Sequence, residues 1–182
     1  MKPTNIMLDL ETWGTKPGSV ITSIGAVVFN DDAIQKGEFE SFYYRINPKS
    51  CTDAGLAIDP DTVLWWMKQS DKARSEFELS SFHIEVALAH FSHFCLAGRE
   101  GEPVLWGNGA TFDNALLRAA YEACGIVPPW SPFHDRCYRT AKSYRPDIKM
   151  ARTGTHHNAL DDARSQAEHL IRIHKAMGVS VG

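Results

Sequence analysis

The stretch Ile6–Thr15, "IMLDLETWGT", decides how this sequence is interpreted, because two acidic residues interrupt an otherwise apolar run. The apolar residues predict a buried strand over Ile6–Trp13. Alternate residues of a strand point to one face, so Asp9 and Glu11 emerge side by side, roughly 6.6 Å apart along the chain. Two like charges this close are costly without a positive charge between them. The stretch is typical either of a solvated edge strand or of a divalent metal site.

The rest of the chain predicts an α/β fold, a mixed sheet flanked by helices. Strands are predicted over 6–13, 20–29 and 39–47, and their short connections indicate a β-meander. Then follow helices over 59–78 and 84–98, a buried strand over 103–109, a helix over 112–125, a strand near 133–140 and a helix over about 158–177. Residues 1–182 are expected to form a single domain.

Composition and charge exclude several classes of protein. The 43% hydrophobic and 23% charged fractions are ordinary for a soluble globular protein. No apolar run approaches the roughly 20 residues of a membrane span, and the acidic residues near the N-terminus argue against a signal peptide. The four cysteines lack CxxC spacing, which favours reduced thiols of a cytoplasmic protein over a zinc site or a disulfide framework. The net charge of −3 argues against non-specific coating of nucleic acid.

One basic stretch could still recognise phosphate locally. Residues 135–152, "DRCYRTAKSYRPDIKMAR", carry six basic side chains against two acidic ones, and Arg136, Arg139 and Lys142 come first among the six. A charge run of this kind is usually a solvated face. Its position just before the histidine pair of residues 156–157 favours a role in binding phosphate.

A third acidic residue, Asp113, lies in the first turn of the helix that follows the 103–109 strand. Acids are favoured at that position by the helix dipole and by capping, which is a sufficient structural explanation. However, ligand sites of α/β proteins gather at the carboxyl ends of strands. Asn108, in the turn between them, is either a polar lining residue or a turn residue.

The last helix begins with "HNALDDA", residues 157–163. Asn158 fits the N-cap, which gives Asp161 a structural role as a capping acid. Asp162 lies at the border of the apolar stripe without a cationic partner at helical spacing, so a metal ligand is the better interpretation. His157 belongs to the preceding loop and suits a general base beside a metal, although an isolated histidine, or its neighbour His156, is more often a surface residue.

These motifs, in this order, resemble the DEDDh family of 3′→5′ exonucleases, which has a ribonuclease H-like fold. The resemblance is carried by "LDLETWG" (8–14), "NGATFDNALL" (108–117) and "HNALDDA" (157–163), and it spans essentially the whole chain. The HxAxxDA pattern after the other two is the most specific part. Segments 61–71 and 105–125 look closest to a subgroup met in prophages and actinobacteria.

The resemblance implies a metal-dependent 3′–5′ exonuclease that releases nucleoside 5′-monophosphates. Asp9, Glu11, Asp113 and Asp162 would be the metal ligands, with Glu11 also counted as catalytic, and His157 would be the general base. Four carboxylates suit two Mg²⁺ or Mn²⁺ ions rather than zinc. Two such ions would stabilise the attacking and leaving oxygens of a phosphodiester displacement.

The substrate is expected to be the 3′ end of single-stranded RNA or DNA, with RNA slightly favoured and no membrane partner. Trp13 is expected to stack on a base, and Arg136, Arg139 and Lys142 to hold upstream phosphates. Of Trp65 and Trp66, one is expected in the core and the other at the site. A homodimer is compatible with the resemblance, since the aromatic residues of "FYYRIN" (42–47) suit either an interface or ordinary packing.

Three other functions remain open from the sequence. A ribonuclease H-like endonuclease would keep the fold but leave His157 without its specific position before Asp162. A phosphodiesterase acting on short oligonucleotides is compatible with the acidic net charge. An inactive nucleic-acid-binding module predicts damaged ligand positions, and no ligand position is damaged here.

Overall fold

A five-stranded mixed sheet forms the centre of the protein, in the order β3-β2-β1-β4-β5. The computed structural model describes residues 4–30, 39–78, 81–99 and 101–180. The strands β1 to β3 are antiparallel neighbours, as the predicted meander requires, and β4 and β5 continue the sheet in parallel from β1. The strand bounds are β1 Thr4–Thr12, β2 Ile21–Val28, β3 Ser41–Arg45, β4 Pro103–Gly107 and β5 Asp135–Cys137.

Helices flank the sheet on both faces. They are α1 Pro48–Asp53, α2 Pro60–Trp66, α3 Asp71–Arg74, α4 Ile84–Leu96, α5 Asp113–Ala123, α6 Tyr138–Ser143 and α7 Ala159–Ala176, with 3-10 turns at Ser75–Glu78 and Pro132–His134. The helices α4 and α5 pack against one apolar cluster, and α6 and α7 pack against the other. The α/β prediction is therefore confirmed. None of the helices in the described ranges is long and apolar enough to span a membrane.

The single helix predicted over 59–78 is wrong, because the chain turns after Trp66. Ser70 starts a new helix there by accepting a hydrogen bond from the Ala73 amide with its hydroxyl. The sequence pattern also missed α1, which Asn47 caps and Pro48 begins. The predicted strand near 133–140 is confined to three residues of β5, and α6 follows it directly.

The aromatic side chains of β3 contact other parts of the chain. Phe42 is buried and stacks on Tyr44, with ring centroids 4.7 Å apart. Tyr43 donates a hydrogen bond from its hydroxyl to Glu76 Oε2 at 2.6 Å. These aromatic side chains are used in packing within the chain, which removes the sequence-based support for a homodimer interface.

Gly25 brings the last helix against the sheet. It lies opposite Asp9 in the β1–β2 pairing, so a side chain at either position would point to the same face. A Cβ at Gly25 would lie 2.2 Å from the carbonyl carbon of Ala159 and 2.3 Å from the amide nitrogen of Leu160. The start of α7 can therefore approach β2 only because residue 25 has no side chain, and this approach places Asp162 beside β1.

Candidate active site

Three carboxylates meet where the start of α7 crosses β1. One oxygen each from Asp9, Glu11 and Asp162 lies within 4.8 Å of the others. Glu11 is 9% exposed and Asp162 8% exposed, so water screens their charges poorly. The two residues of β1 share a face, as the strand periodicity predicts, and the helix brings the third carboxylate to them.

The electrostatics of this cluster disfavour three ionised carboxylates without a counter-charge. Burial raises the pKa of Asp9 well above its usual range, and the charges of Asp113, Glu11 and Asp162 raise it further. Burial likewise raises the pKa of Glu11, with the charges of Asp162 and Asp113 adding to the effect. A divalent cation would remove this cost, and oxygen-only ligands suit Mg²⁺ or Mn²⁺.

Asp113 lies next to the cluster, at the first residue of α5. It is 2% exposed, and burial raises its pKa to about 7. Its Oδ1 accepts a hydrogen bond from the Leu10 amide at 3.3 Å, whereas its Oδ2 has no hydrogen-bond partner among the described residues. A buried carboxylate oxygen without a donor fits a cation site better than a helix-capping role, because capping would give that oxygen a partner.

Gln166 supports the cluster from one turn further along α7, and sequence reasoning missed it. Its Nε2 donates a hydrogen bond to Asp9 Oδ1 at 2.7 Å, while its Oε1 is buried without a partner in the described part of the chain. The spacing of four residues from Asp162 to Gln166 was the available signal, since such residues share a helix face. Gln166 therefore orients a carboxylate that is expected to bind metal.

His157 reaches the cluster from the loop that precedes α7. Its backbone has a φ of +64°, and its amide donates a hydrogen bond to Asp162 Oδ2 at 3.0 Å. Its ring packs against Trp65 and Trp66, with centroid distances of 5.1 and 5.6 Å. Burial and the neighbouring His156 lower the pKa of His157, which favours the neutral imidazole that a general base requires.

Arg152 supplies the cationic partner that the helix itself does not give Asp162. Its Nη1 donates to Asp162 Oδ1 at 2.6 Å from the same loop that carries His157. The sequence predicted a basic stretch here but not this ion pair, because loop conformation decides which residue meets the helix. Arg152 is about half exposed, so it can exchange Asp162 for another anion.

One face of α7 fixes the loop over residues 148–157. Asp161 accepts a hydrogen bond from the Thr155 amide at 2.6 Å, and the Ser165 hydroxyl accepts one from the Thr153 amide at 3.0 Å. The Nε2 of His169 donates to a loop carbonyl, that of Ile148, at 2.8 Å. These donors and acceptors recur every four residues along the helix, so they hold the loop in one conformation.

A cavity of about 600 Å³ opens over the carboxylates. Basic side chains line it from α6 and from the 148–157 loop. Aromatic rings and further carboxylates line it from α2 and its N-cap. The lining includes the four carboxylates, His156, His157, Gln166, Asn108, Arg139, Lys142, Arg152, Tyr138, Trp65, Trp66, Phe112, Asp59 and Asp61. Its size and mixed lining are suitable for a small polar ligand with an aromatic part.

Three of the predicted substrate-binding residues line this cavity. Arg139 donates from Nη2 to the carbonyl oxygen of Asn108 at 2.6 Å, which ties α6 to the turn after β4. Lys142 lies with its Nζ 5.2 Å from the centroid of the Tyr138 ring. Burial and the charges of Arg139 and Arg152 lower the pKa of Lys142, and an anion bound there would offset the repulsion among these three cationic side chains.

Trp13 and Arg136 are not among the described residues that line the cavity. Trp13 packs edge-on against Phe77 with centroids 5.7 Å apart, and it is partly buried against the apolar cluster that includes α4 and α5. Arg136 is exposed and donates hydrogen bonds to the carbonyls of Phe133 and Asp135. The expectation that these two residues bind substrate finds no support in this placement.

The two tryptophans of α2 have different environments, and the sequence did not indicate which of them is in the core. Trp66 is 4% exposed and donates from Nε1 to the carbonyl of Thr12 at 2.8 Å, which attaches α2 to the end of β1. Trp65 is 44% exposed and lines the cavity. Trp65 is therefore better placed than Trp13 to offer a stacking surface.

Comparisons with known proteins agree with this geometry. The family model described as Rv2179c-like 3′-5′ exoribonuclease domain matches residues 4–174. No curated protein matches the chain in sequence. Among solved structures, the nuclease domain of 3′hExo, a DEDDh family member, bound to rAMP, is similar at 13% identity and a TM-score of 0.62, over 96% of this chain and 93% of that one.

Two further solved structures share the fold. One is a 3′-exonuclease solved to describe 3′-end specific recognition of a histone mRNA stem-loop. It is 11% identical with a TM-score of 0.60, covering 99% of this chain and 86% of that one. Pop2p of S. pombe, in its Mg²⁺- and Mn²⁺-bound form, is 13% identical with a TM-score of 0.57, covering 94% and 82%. The expected resemblance to DEDDh exonucleases, with their ribonuclease H-like fold, is therefore confirmed.

Proposed function

Because this chain belongs to the Rv2179c-like 3′-5′ exoribonuclease domain family, it is a 3′-5′ exonuclease, and we propose that it degrades single-stranded 3′ ends or overhangs. RNA is the slightly preferred polymer, and nucleoside 5′-monophosphates are the products. The observation that carries this proposal is the cluster of half-buried Asp9 with buried Glu11 and Asp162, together with the hydrogen bond from the His157 amide to Asp162.

Asp9, Glu11, Asp113 and Asp162 would hold two divalent ions, Mg²⁺ or Mn²⁺. Three observations support the fit: the donors are all oxygens, burial raises the pKa values of three of them, and Asp113 Oδ2 has no donor within the described residues. When bound, such ions lower the barrier by stabilising the negative charge of the attacking and leaving oxygens. The neighbour solved with Mg²⁺ and Mn²⁺ has the same fold, which supports this choice of metals.

His157 acts as the general base in this proposal. The hydrogen bond from its backbone amide to Asp162 Oδ2 fixes the backbone, and the two tryptophan rings fix the imidazole, so a ring nitrogen is held beside the carboxylates. The neutral imidazole takes a proton from the attacking water, and general-base catalysis of this kind contributes about 10²–10⁴-fold in rate. The phosphodiester bond to the upstream 3′ oxygen breaks as the water oxygen bonds to phosphorus.

Arg139 and Lys142 bind the phosphates upstream of the scissile bond, and Asn108 orients the turn between them and Asp113. Support comes from their position in the cavity lining and from the net acidic charge elsewhere, which concentrates phosphate attraction at this point. Trp65 offers a face for the terminal base, and stacking is worth about 1–3 kcal/mol per base. One structural neighbour is bound to rAMP, and another recognises a histone mRNA stem-loop, which supports RNA rather than DNA as the proposed substrate.

The test uses 5′-labelled single strands of RNA and DNA with one sequence, each with a free or a blocked 3′ end. With Mg²⁺ or Mn²⁺, a ladder shortening from the free 3′ end is expected, faster on RNA, and absent with EDTA or in Asp162→Asn. Cleavage of blocked or circular strands would instead indicate an endonuclease. Activity restricted to substrates of two to five nucleotides would indicate an oligonucleotide phosphodiesterase, and no cleavage would indicate a binding module.

A further inference from the structure

A second group of potential metal ligands lies at the mouth of the cavity and has a different chemistry. One ligand atom each from His156, His157 and Asp162 lies within 4.8 Å of the others. The two imidazoles stack, with centroids 3.8 Å apart and an angle of 29° between their planes. Two nitrogen donors and one carboxylate oxygen therefore lie close together, and Asp162 is shared with the all-oxygen group formed by Asp9, Glu11 and Asp162.

The ring nitrogens of this pair are available for a ligand. No hydrogen bond to a ring nitrogen of His156 or His157 is formed within the described residues, although His157 is fixed by its ring contacts with Trp65 and Trp66. His156 is exposed, so an ion can reach the pair from solvent. The backbone of His157 is left-handed, its amide donates a hydrogen bond to Asp162 Oδ2, and its ring stacks on that of His156.

The donor set selects the class of metal. Imidazole nitrogen is a preferred ligand of Zn²⁺ and of other late first-row ions, whereas Mg²⁺ binds oxygen and keeps several waters. Zinc bonds of about 2.0–2.1 Å place neighbouring ligand atoms roughly 3.4 Å apart in a tetrahedron. The ligand atoms lie no more than 4.8 Å apart, so approaches of up to about 1.4 Å would close the site, with the remaining position left for water.

We propose that His156, His157 and Asp162 form an inhibitory site for Zn²⁺ or a similar late transition-metal ion. The inhibition rests on the exonuclease function proposed above, because the ion would occupy the imidazole nitrogen that accepts the proton and an oxygen of a carboxylate that the active metals need. The absence of CxxC spacing disfavours a cysteine zinc site. This site uses adjacent histidines instead, which the left-handed loop brings to Asp162.

Binding is measured first, without reference to activity. A double variant, Asp9→Asn with Glu11→Gln, disables the all-oxygen group but keeps the three proposed zinc ligands. Titration of Zn²⁺ against a chromophoric chelator should show one tightly bound equivalent in this protein. Adding His156→Gln should weaken that binding at least tenfold, whereas adding His93→Gln, an exposed histidine on α4, should not change it. Equal zinc affinity with and without His156 would overturn the proposal.

Inhibition is measured second, at a fixed saturating Mg²⁺ concentration with Zn²⁺ titrated. Each protein is normalised to its own zinc-free rate. The Zn²⁺ concentration giving half inhibition should rise at least tenfold in His156→Gln relative to the wild type and to His93→Gln. Equal inhibition of all three would show that zinc acts at the carboxylates alone and would contradict the proposal. If the wild type has no exonuclease activity, the proposed function fails, and the binding titration still decides the site.

Discussion

Replacing Gly25 with alanine should damage catalysis more than it damages stability. The new Cβ would lie 2.2 Å from the carbonyl carbon of Ala159, 2.3 Å from the Leu160 amide nitrogen and 2.4 Å from the Ala159 carbonyl oxygen. All three atoms are backbone, so no side chain can rotate away. The start of α7 must withdraw by about 1.2 Å to restore an ordinary contact of roughly 3.4 Å.

The withdrawal moves one side of the carboxylate cluster away from the other. Asp162 and His157 travel with α7, while Asp9 and Glu11 remain on β1. A displacement of about 1 Å at a catalytic group can cost about 10²-fold, so we expect kcat of Gly25→Ala to fall by roughly that factor. Overpacking should also cost about 1–3 kcal/mol of unfolding free energy, lowering Tm by roughly 2–12 °C.

The assay compares kcat at a temperature where every variant is folded, with Tm followed by circular dichroism. Ile24→Val is the matched control, because Ile24 is the neighbouring residue of β2 and is buried in the cluster on the opposite face of the sheet. It should lose about 0.5–1.5 kcal/mol of stability and keep kcat. If Gly25→Ala keeps kcat within about threefold of wild type, the contact between α7 and β2 does not determine the geometry of the carboxylate cluster.

Three further perturbations test the charges of the site. Burial raises the pKa of Asp9, so the metal-free folded protein binds more protons than the unfolded chain and loses stability as pH rises above the ordinary carboxyl range. Asp9→Asn should therefore raise the Tm of the metal-free protein at pH 8 by at least about 3 °C while abolishing activity, and an unchanged or lower Tm in a thermal melt with EDTA would oppose this. Burial lowers the pKa of His157, so at saturating Mn²⁺ the rate should fall with acid only below the ordinary histidine range. His157→Gln should lower kcat about 10²–10⁴-fold and remove that acid limb, and a variant that keeps the limb would exclude His157 as the base. The double variant Arg139→Ala with Lys142→Ala should raise KM and weaken the salt dependence of kcat/KM. The measurement is the slope of log(kcat/KM) against log[salt], and an unchanged slope would show that neither residue contacts phosphate.

The parts of the site that follow local periodicity were predictable from the sequence. A strand repeat of two places Asp9 and Glu11 on one face, and the helical repeat separates Asp162 from Asp161. In the structure Asp162 joins the cluster, and Asp161 accepts a hydrogen bond from the Thr155 amide. These inferences needed only the geometry of one element at a time.

The parts that depend on how elements meet were not predictable in the same way. Arg152 pairs with Asp162 because the 148–157 loop is fixed along α7, and no pattern within the loop specifies that path. Trp13 and Trp65 are equally suitable for stacking as residue types. Only the packing of Phe77 against Trp13 and the exposure of Trp65 separate them.

Isotopic labelling of water tests most directly whether the carboxylate site catalyses hydrolysis from the 3′ end. Digestion of a single-stranded RNA with a free 3′ end in H₂¹⁸O, followed by mass spectrometry, reports where the water attacks. We expect nucleoside 5′-monophosphates carrying one ¹⁸O in each phosphate, formed only with Mg²⁺ or Mn²⁺ and absent in Asp162→Asn. Products ending in 2′,3′-cyclic or 3′-phosphates, or 5′-monophosphates without ¹⁸O, would contradict hydrolysis by this carboxylate site.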